Sequence, residues 1–382
     1  MLTLGVWYMK SRLLAVAVVF SIISGYSFAG AVEPRFIAGG FTTLNGVNKT
    51  TIPPAASPKE IPQAKKLTDN QKRIVEKAKS VTESKSNLSL ILVQNGEIIF
   101  ENYRHPSSEH TPMMSWSMSK SLTAMLIGIQ HCKGNIPNLD SPISRYVPSL
   151  SDTGYGSVTV RDALKMASRT QRPAAHSGEN RSFAWREIFI EKKTSLESYL
   201  REYGNSQQSL FGIIKSGSTY SYKNSDTTAL EMIISATSSK GFVKEFETEI
   251  WNKIGAEKFG FWLEDKDRKP IAYAGFNATA RDWIRLAIFS KNLLNSDDRC
   301  IREYMQKATT HQIDTDRPAF TQFGYQTWVA NWSDSSSYWW RGYAGQRIAV
   351  DPKKDLIMYV GSSNDDYQSQ IYNLFKDWQR LE

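Results

Sequence analysis

Ser117 and Lys120, in the stretch SWSMSKSLTAMLIGI (115–129), stand three residues apart at the start of an apolar, helix-prone run. On a helix, residues at that spacing share a face, with Cβ atoms about 5–6 Å apart. A serine hydroxyl is a poor nucleophile until a nearby base removes its proton. A lysine can be that base only when neutral, which needs its pKa to fall ~3 units, or ~4 kcal/mol. Leu122, Met125 and Leu126 offer the apolar setting that penalises the ammonium. The pattern occurs once, since no other lysine has a serine three positions before it. Taken alone it also reads as an N-capping serine followed by a surface lysine.

Two further stretches bear on that choice. Tyr222-Lys223-Asn224 precedes an amphipathic helical pattern, SDTTALEMII. A tyrosine beside a neutral lysine can take and return a proton, and an asparagine amide can orient a substrate carbonyl. Tyr203-Gly204-Asn205 repeats the spacing, but Gly-Asn after ESYLREY reads better as a helix stop. The third stretch, WWRGYAGQ (339–346), reads as a strand in which Gly342 and Gly345 let the backbone approach a ligand closely. Acyl transfer needs two N–H donors aimed at the developing oxyanion. One from Ser117 and one from this strand would supply them.

These residues need a scaffold, and the chain spells one out. The first strong elements are a helix at 68–82 and a hairpin at 87–104, whose two β-branched runs flank Asn95-Gly96. From about 135 to 310 the pattern is mostly helical. TVRDALKMA (159–167) opens with a Thr cap and an Asp three residues on, and NATARDWIRLAIFSKNLL (277–294) repeats that design. Strands return in FGYQTWVA, WWRGYAGQRIAVD and DLIMYVGSS, with a closing helix at 367–381. Strands from both ends of the chain can build one antiparallel sheet with the helical segment inserted between them. The expected class is α+β.

The 382 residues, 41% hydrophobic and 22% charged, allow a sizeable core. Lys10 and Arg12 precede the apolar run LLAVAVVFSII, and Ser27-Phe28-Ala29 fits the small-x-small rule, so residues 1–29 read as a signal peptide cleaved after Ala29. The run is too short to span a bilayer and no cysteine follows it, so no stable membrane anchor is expected. Residues 30–66 read as an extended linker or arm, and 67–382 as the folded domain. Much of the +9 net charge sits between Lys49 and Lys79. With no basic helix and no aromatic RNA-binding motif, it reads as a solvated surface rather than a nucleic-acid footprint. The five histidines (His105, His110, His131, His176 and His311) have no metal-ligand spacing, and no phosphate-binding glycine loop occurs, so neither a metal nor another cofactor is expected. Two cysteines, Cys132 and Cys300, carry almost no pairing information and read more readily as free thiols than as a bridge.

Ser117-x-x-Lys120, Tyr222-x-Asn224 and Trp340-Arg341-Gly342, in that order, resemble the three motifs of serine β-lactamases and penicillin-binding proteins. The likeness runs from about Asn87 to Lys376. It is nearest to the class C-related group that includes family VIII carboxylesterases and 6-aminohexanoate-oligomer hydrolases. The resemblance implies a β-lactamase/transpeptidase-like fold, an antiparallel sheet flanked by helices with a helical subdomain. It implies Ser117 as the acylated nucleophile, Lys120 as its base and Tyr222 as proton shuttle. Asn224, Trp340, Arg341, Gly342 and Gly345 would line the substrate site, and Tyr343 would give the second oxyanion N–H. The family's Lys-Thr-Gly is here Trp340-Arg341-Gly342. Trp340 lacks the cation that holds a carboxylate, and Arg341 should point to the opposite side of the strand. Arg169 also stands where relatives usually carry glycine. The implied protein is an exported, periplasmic or secreted serine hydrolase of small esters or amides, with a catalytically silent penicillin- or peptidoglycan-binding relative as the alternative. Oligomeric state is left open.

Overall fold

The computed structural model describes residues 33–41, 46–170, 188, 192–203, 208–209, 212–213, 216–330, 332 and 337–382. The expected signal segment, 1–29, lies outside the described residues. Among them no helix is long and apolar enough to cross a membrane.

An eight-stranded antiparallel sheet carries the molecule. Its first two strands are β2 (Asn87–Gln94) and β3 (Glu97–Tyr103). Asn95 and Gly96 both adopt left-handed backbone, φ 53° and 78°, as a two-residue hairpin turn requires. The remaining strands come from the end of the chain: β9 (Ile313–Asp314), β10 (Gln322–Phe323), β11 (Trp328–Ala330), β12 (Ser337–Arg341), β13 (Arg347–Asp351) and β14 (Leu356–Ser362). The order β3-β2-β14-β13-β12-β11-β10-β9 joins the early hairpin to the late strands through the β2–β14 pairing. Both faces are covered, so alternate residues feed two cores. Leu90, Leu92, Met358 and Val360 pack under α1 (Asp69–Thr82) and α9 (Gln368–Leu381). Ile91, Val93, Ile357 and Tyr359 join the larger core with α2 (Ser119–Cys132), α5 (Asn224–Thr237) and α7 (Ala280–Leu293).

The helix starts follow the sequence closely. Thr68 and Gln71 form a capping box at the head of α1. Thr159 and Thr279 each accept from the backbone N–H of the Asp three residues on, opening α3 (Val160–Leu164) and α7. α4 is described over Leu196–Tyr203, and the Gly204-Asn205 expected to end it lies outside the described residues.

A second sheet was not foreseen. It joins β1 (Asn48–Ile52), β4 (Met113–Met114), β7 (Gly260–Glu264) and β8 (Phe276–Ala278) in the order β1-β7-β8-β4. Three of these strands have five residues or fewer with no alternation of burial, and a two-residue strand leaves no periodic signal. The 30–66 stretch, expected as an extended arm, thus supplies β1 and a short helix, Pro34–Ile37. The helical middle likewise contributes β7 and β8. The small sheet matters because β4 leads directly into Ser115–Ser117.

Cys132 and Cys300 form a disulfide with Cα atoms 5.6 Å apart, correcting the expectation of free thiols. It ties the last residue of α2 to the first turn of α8 (Arg299–Ala308). The bond closes a loop with a sequence separation of 168 residues. Chain-entropy reasoning gives it a stabilisation of roughly 4–5 kcal/mol. Replacing both cysteines by serine is expected to lower the urea midpoint and Tm clearly, and dithiothreitol should shift the wild type to the same place. Coincident curves for oxidised wild type and the double variant would contradict this.

Candidate functional site

The serine sits at a sharp bend. β4 runs into a 3-10 turn, Trp116–Met118, and then into α2. Trp116 holds φ at 47°, a left-handed conformation that a bulky residue rarely adopts. Ser117 follows it and is half-buried, so its hydroxyl is reachable.

Opposite the turn runs a rail of three successive carbonyls, Ala272 to Ala274, just before β8. The Thr123 hydroxyl lies 3.2 Å from the Ala272 oxygen, Lys120 Nζ donates to that of Tyr273 at 3.0 Å, and the Ser115 hydroxyl lies 3.2 Å from that of Ala274. The Ser115 N–H donates to the Phe276 carbonyl and the Phe276 N–H to Ser119 Oγ. The rail fixes both ends of the Ser-x-x-Lys segment. Nothing in the sequence marks AYAGF as its partner, because the contact is made by backbone oxygens.

Lys120 is 2% exposed, and its Nζ lies 2.9 Å from Ser117 Oγ. Burial alone pushes its pKa well below the ordinary 10.5. The rings of Tyr222 and Tyr273, with centroids 4.9 and 5.3 Å from Nζ, pull the other way by attracting a cation. A cation–π contact of this kind is a small attraction beside the cost of stripping an ammonium of its water, and the net direction at Lys120 is downward. Desolvation wins. A neutral amine then spends one N–H on Tyr273 and keeps its lone pair for the Ser117 hydroxyl. That pair can pass a proton from alcohol to amine.

Tyr222 is half-buried, with its ring by Lys120 and stacked on Trp328 of β11 at 5.8 Å. The structure therefore gathers Ser117, Lys120 and Tyr222. Asn224 opens α5 and is exposed, with no hydrogen bond tying it to that group among the described residues. Between them, Lys223 turns inward, a role the sequence reading missed. Its Nζ donates to Ser168 Oγ at 2.6 Å and to the Thr170 carbonyl at 2.8 Å, 3.9 Å from Asp226. The fully buried Asp226 carboxylate also accepts from Tyr155 and Ser168, both at 2.6 Å, and burial raises its pKa. Lys223 thus anchors the tyrosine loop to segment 168–170. The i,i+3 spacing of Lys223 and Asp226 was the available signal. Arg169 has φ 55°, a left-handed conformation that glycine adopts without strain, and donates to Thr219 Oγ1 at 2.7 Å. Residues 171–187, which follow this segment, lie outside the described residues.

The Trp-Arg-Gly triplet splits three ways. Trp340 shares the face of Tyr338, is 2% exposed, and lies near Ser121 and Met125 of α2 rather than open to a ligand. Arg341 projects from the other face, its guanidinium 4.2 Å from the Phe320 ring centroid and 4.9 Å from that of Trp328, donating to the Tyr372 hydroxyl at 3.0 Å. Desolvation lowers its pKa. Gly342 has a steric reason: a Cβ there would lie 2.3 Å from the Ser115 carbonyl oxygen and 3.2 Å from Trp116 Cβ. The glycine lets the strand end press against the nucleophile turn.

The expected strand across 339–346 ends at Arg341, and Tyr343–Gly345 form a 3-10 turn. Ala344 and Gly345 take positive φ, 53° and 89°, which no strand accommodates. Gly345 meets protein rather than open space, since its Cβ would fall 2.7 Å from the Asn364 oxygen. Arg347, another residue the sequence did not single out, braces the turn by donating to the Gly342 and Gln346 carbonyls. Among the described residues no three His, Cys, Asp or Glu side chains converge as metal ligands would.

The beta-lactamase family profile matches residues 75–378. A 6-aminohexanoate-dimer hydrolase of Paenarthrobacter ureafaciens is 20% identical over 302 residues, 73% of each chain. A structure provisionally assigned as a 6-aminohexanoate-dimer hydrolase from Bacillus anthracis superposes with TM-score 0.71 at 20% identity, covering 91% of this chain and 93% of that one. EstCE1, described as a hydrolase with promiscuous acyltransferase activity, gives 0.64 at 13% identity, covering 82% and 97%. An octameric penicillin-binding protein homologue from Pyrococcus abyssi gives 0.62 at 17%, covering 80% and 76%. The fold is the β-lactamase/transpeptidase-like one.

Gly342→Ala forces Ser115 and Trp116 to move, an overpacking cost of ~1–3 kcal/mol. Labelling of Ser117 by a fluorophosphonate is expected to slow at least ~10-fold in this variant while cooperative unfolding persists. Unchanged labelling would show that the close approach is dispensable.

Proposed function

Because the chain belongs to the beta-lactamase family, we propose that it is an exported serine hydrolase that cleaves an ester or amide bond through an acyl-enzyme on Ser117. The observation that carries this reading is the 2.9 Å contact of Ser117 with a buried lysine that has no carboxylate partner among the described residues. The neutral Lys120 amine takes the hydroxyl proton as Oγ attacks the substrate carbonyl. The backbone N–H groups of Ser117 and Tyr343 hold the oxyanion. Tyr222, against Lys120, relays the proton to the leaving alcohol or amine, and the same groups activate the water that frees Ser117. Asn224, at the exposed start of α5, contacts the substrate.

The substrate is a small ester or amide without an obligatory carboxylate at the position the family lysine serves. Trp340 brings no charge there, and Arg341 is engaged with Phe320, Trp328 and Tyr372. Two of the similar proteins, a 6-aminohexanoate-dimer hydrolase and a hydrolase with promiscuous acyltransferase activity, fit that class. The disulfide supports export, since such bonds persist in oxidising compartments. Cleavage after Ala29 would leave the mature protein periplasmic or secreted, with no stable anchor and no nucleic-acid partner.

The test is a panel of short-chain esters, linear amides including the 6-aminohexanoate dimer, and a chromogenic cephalosporin. Ser117→Ala and Lys120→Met are each expected to lose at least ~10³-fold in kcat/KM, and Tyr222→Phe at least ~10²-fold. The active form carries unprotonated Lys120, so activity falls as pH drops through its folded pKa. That limb is expected well below the ordinary 10.5. Hydrolysis surviving Ser117→Ala would refute the assignment. Stable acylation of wild type with no product release would favour a silent binder.

A further inference from the structure

We infer that the side chains of Trp116 and Tyr343 form an apolar subsite for the acyl group of the substrate, braced from behind by Phe41 of the N-terminal segment. Tyr343 is 40% exposed and, with Phe259, one of two large apolar side chains left so open among the described residues. Its ring meets Trp116 edge to face at 5.5 Å. Trp116, next to Ser117, is half-buried and holds the left-handed backbone at φ 47°. A costly conformation of that kind persists where its surroundings over-determine it.

Those surroundings include the N-terminal segment. Phe41 sets its edge against Trp116 at 6.0 Å and stacks on Phe36 at 4.9 Å. The segment is pinned beside the nucleophile turn by the Ala38–Met113 bridge and by the Gly39 N–H donating to the Pro112 carbonyl at 2.8 Å. Gly40, at φ 58°, lies so close to the Asn277 side chain that a Cβ would overlap it. A stretch read from sequence as a linker thus backs the aromatic pair.

The direction follows from the proposed chemistry, and the assignment rests on Ser117 being the nucleophile. The oxyanion faces the Ser117 and Tyr343 N–H groups and the leaving group faces Tyr222. The remaining substituent on the carbonyl carbon is the acyl chain, which falls along the ring of Tyr343 and its neighbour Trp116. An aliphatic or aryl acyl group suits that surface, at about four-fold in affinity per methylene buried.

The experiment compares p-nitrophenyl acetate, butyrate and hexanoate, which share one leaving group. In wild type, kcat/KM for hexanoate over acetate is expected to exceed ~10. In Tyr343→Ala that ratio should fall toward ~1, and in Phe41→Ala it should fall in the same direction by a smaller factor. Tyr343 is exposed, so its truncation leaves folding intact even where Phe41→Ala does not. A second arm measures binding of N-methylhexanamide against N-methylacetamide to the Ser117→Ala protein by tryptophan fluorescence, with and without Tyr343→Ala. Binding reads the subsite whether or not Ser117 is acylated, so failure of the hydrolase reading and failure of the subsite are distinguishable. A chain-length preference absent from binding to the Ser117→Ala protein, or one that Tyr343→Ala leaves unchanged in both arms, overturns the proposal.

Discussion

One amine is kept from water. Lys120 Nζ sits between the Ser117 hydroxyl and the Tyr273 carbonyl, with two tyrosine rings against it and no carboxylate paired to it among the described residues. An ammonium in that place would lose most of its hydration, so the proton is held weakly. The rest of the molecule maintains this condition. The small sheet registers β4 against β8, which sets the nucleophile turn against the carbonyl rail. The large sheet brings Trp328 under Tyr222 and the Gly342 end of β12 against Ser115. The disulfide secures the far end of the helix that carries the pair.

The arrangement costs stability, and the sign of its pH dependence follows. The folded-state pKa of Lys120 lies below its unfolded value, so the unfolded chain binds more protons between the two. Stability therefore rises with pH through that window and is complete only above the ordinary 10.5. At neutral pH this position opposes folding. The fold tolerates it because the surrounding cores are large and tightly closed. Strain at Trp116 is a second cost at the same bend, of order ~1–3 kcal/mol.

Much of this was legible in the chain because it depends on local chemistry. Asn95-Gly96 announces the hairpin, Thr68, Thr159 and Thr279 announce helix starts, and the Ser117–Lys120 spacing announces a shared helix face. What stayed hidden depends on contacts between distant segments. The carbonyl rail at 272–274 uses backbone atoms, so AYAGF carries no residue-type signature. Strands as short as β4 and β8 have no period to detect. Trp340, read as facing a ligand, and Gly345, read as admitting one, are both enclosed by protein, since strand alternation gives a face but not its neighbour. The N-terminal stretch looked like a linker because Gly, Thr and Pro mark loops, yet Phe36 and Phe41 were the residues that dock it.

The most direct test of the account is the titration of Lys120 itself. Carbon-13 NMR of the protein labelled at lysine Cε, with the Lys120 signal assigned by its loss in Lys120→Met, reads the protonation midpoint in the folded state. The account predicts a midpoint well below 10.5. A midpoint at or above 10.5 would mean that the amine stays charged beside Ser117, and the proposed base would not exist.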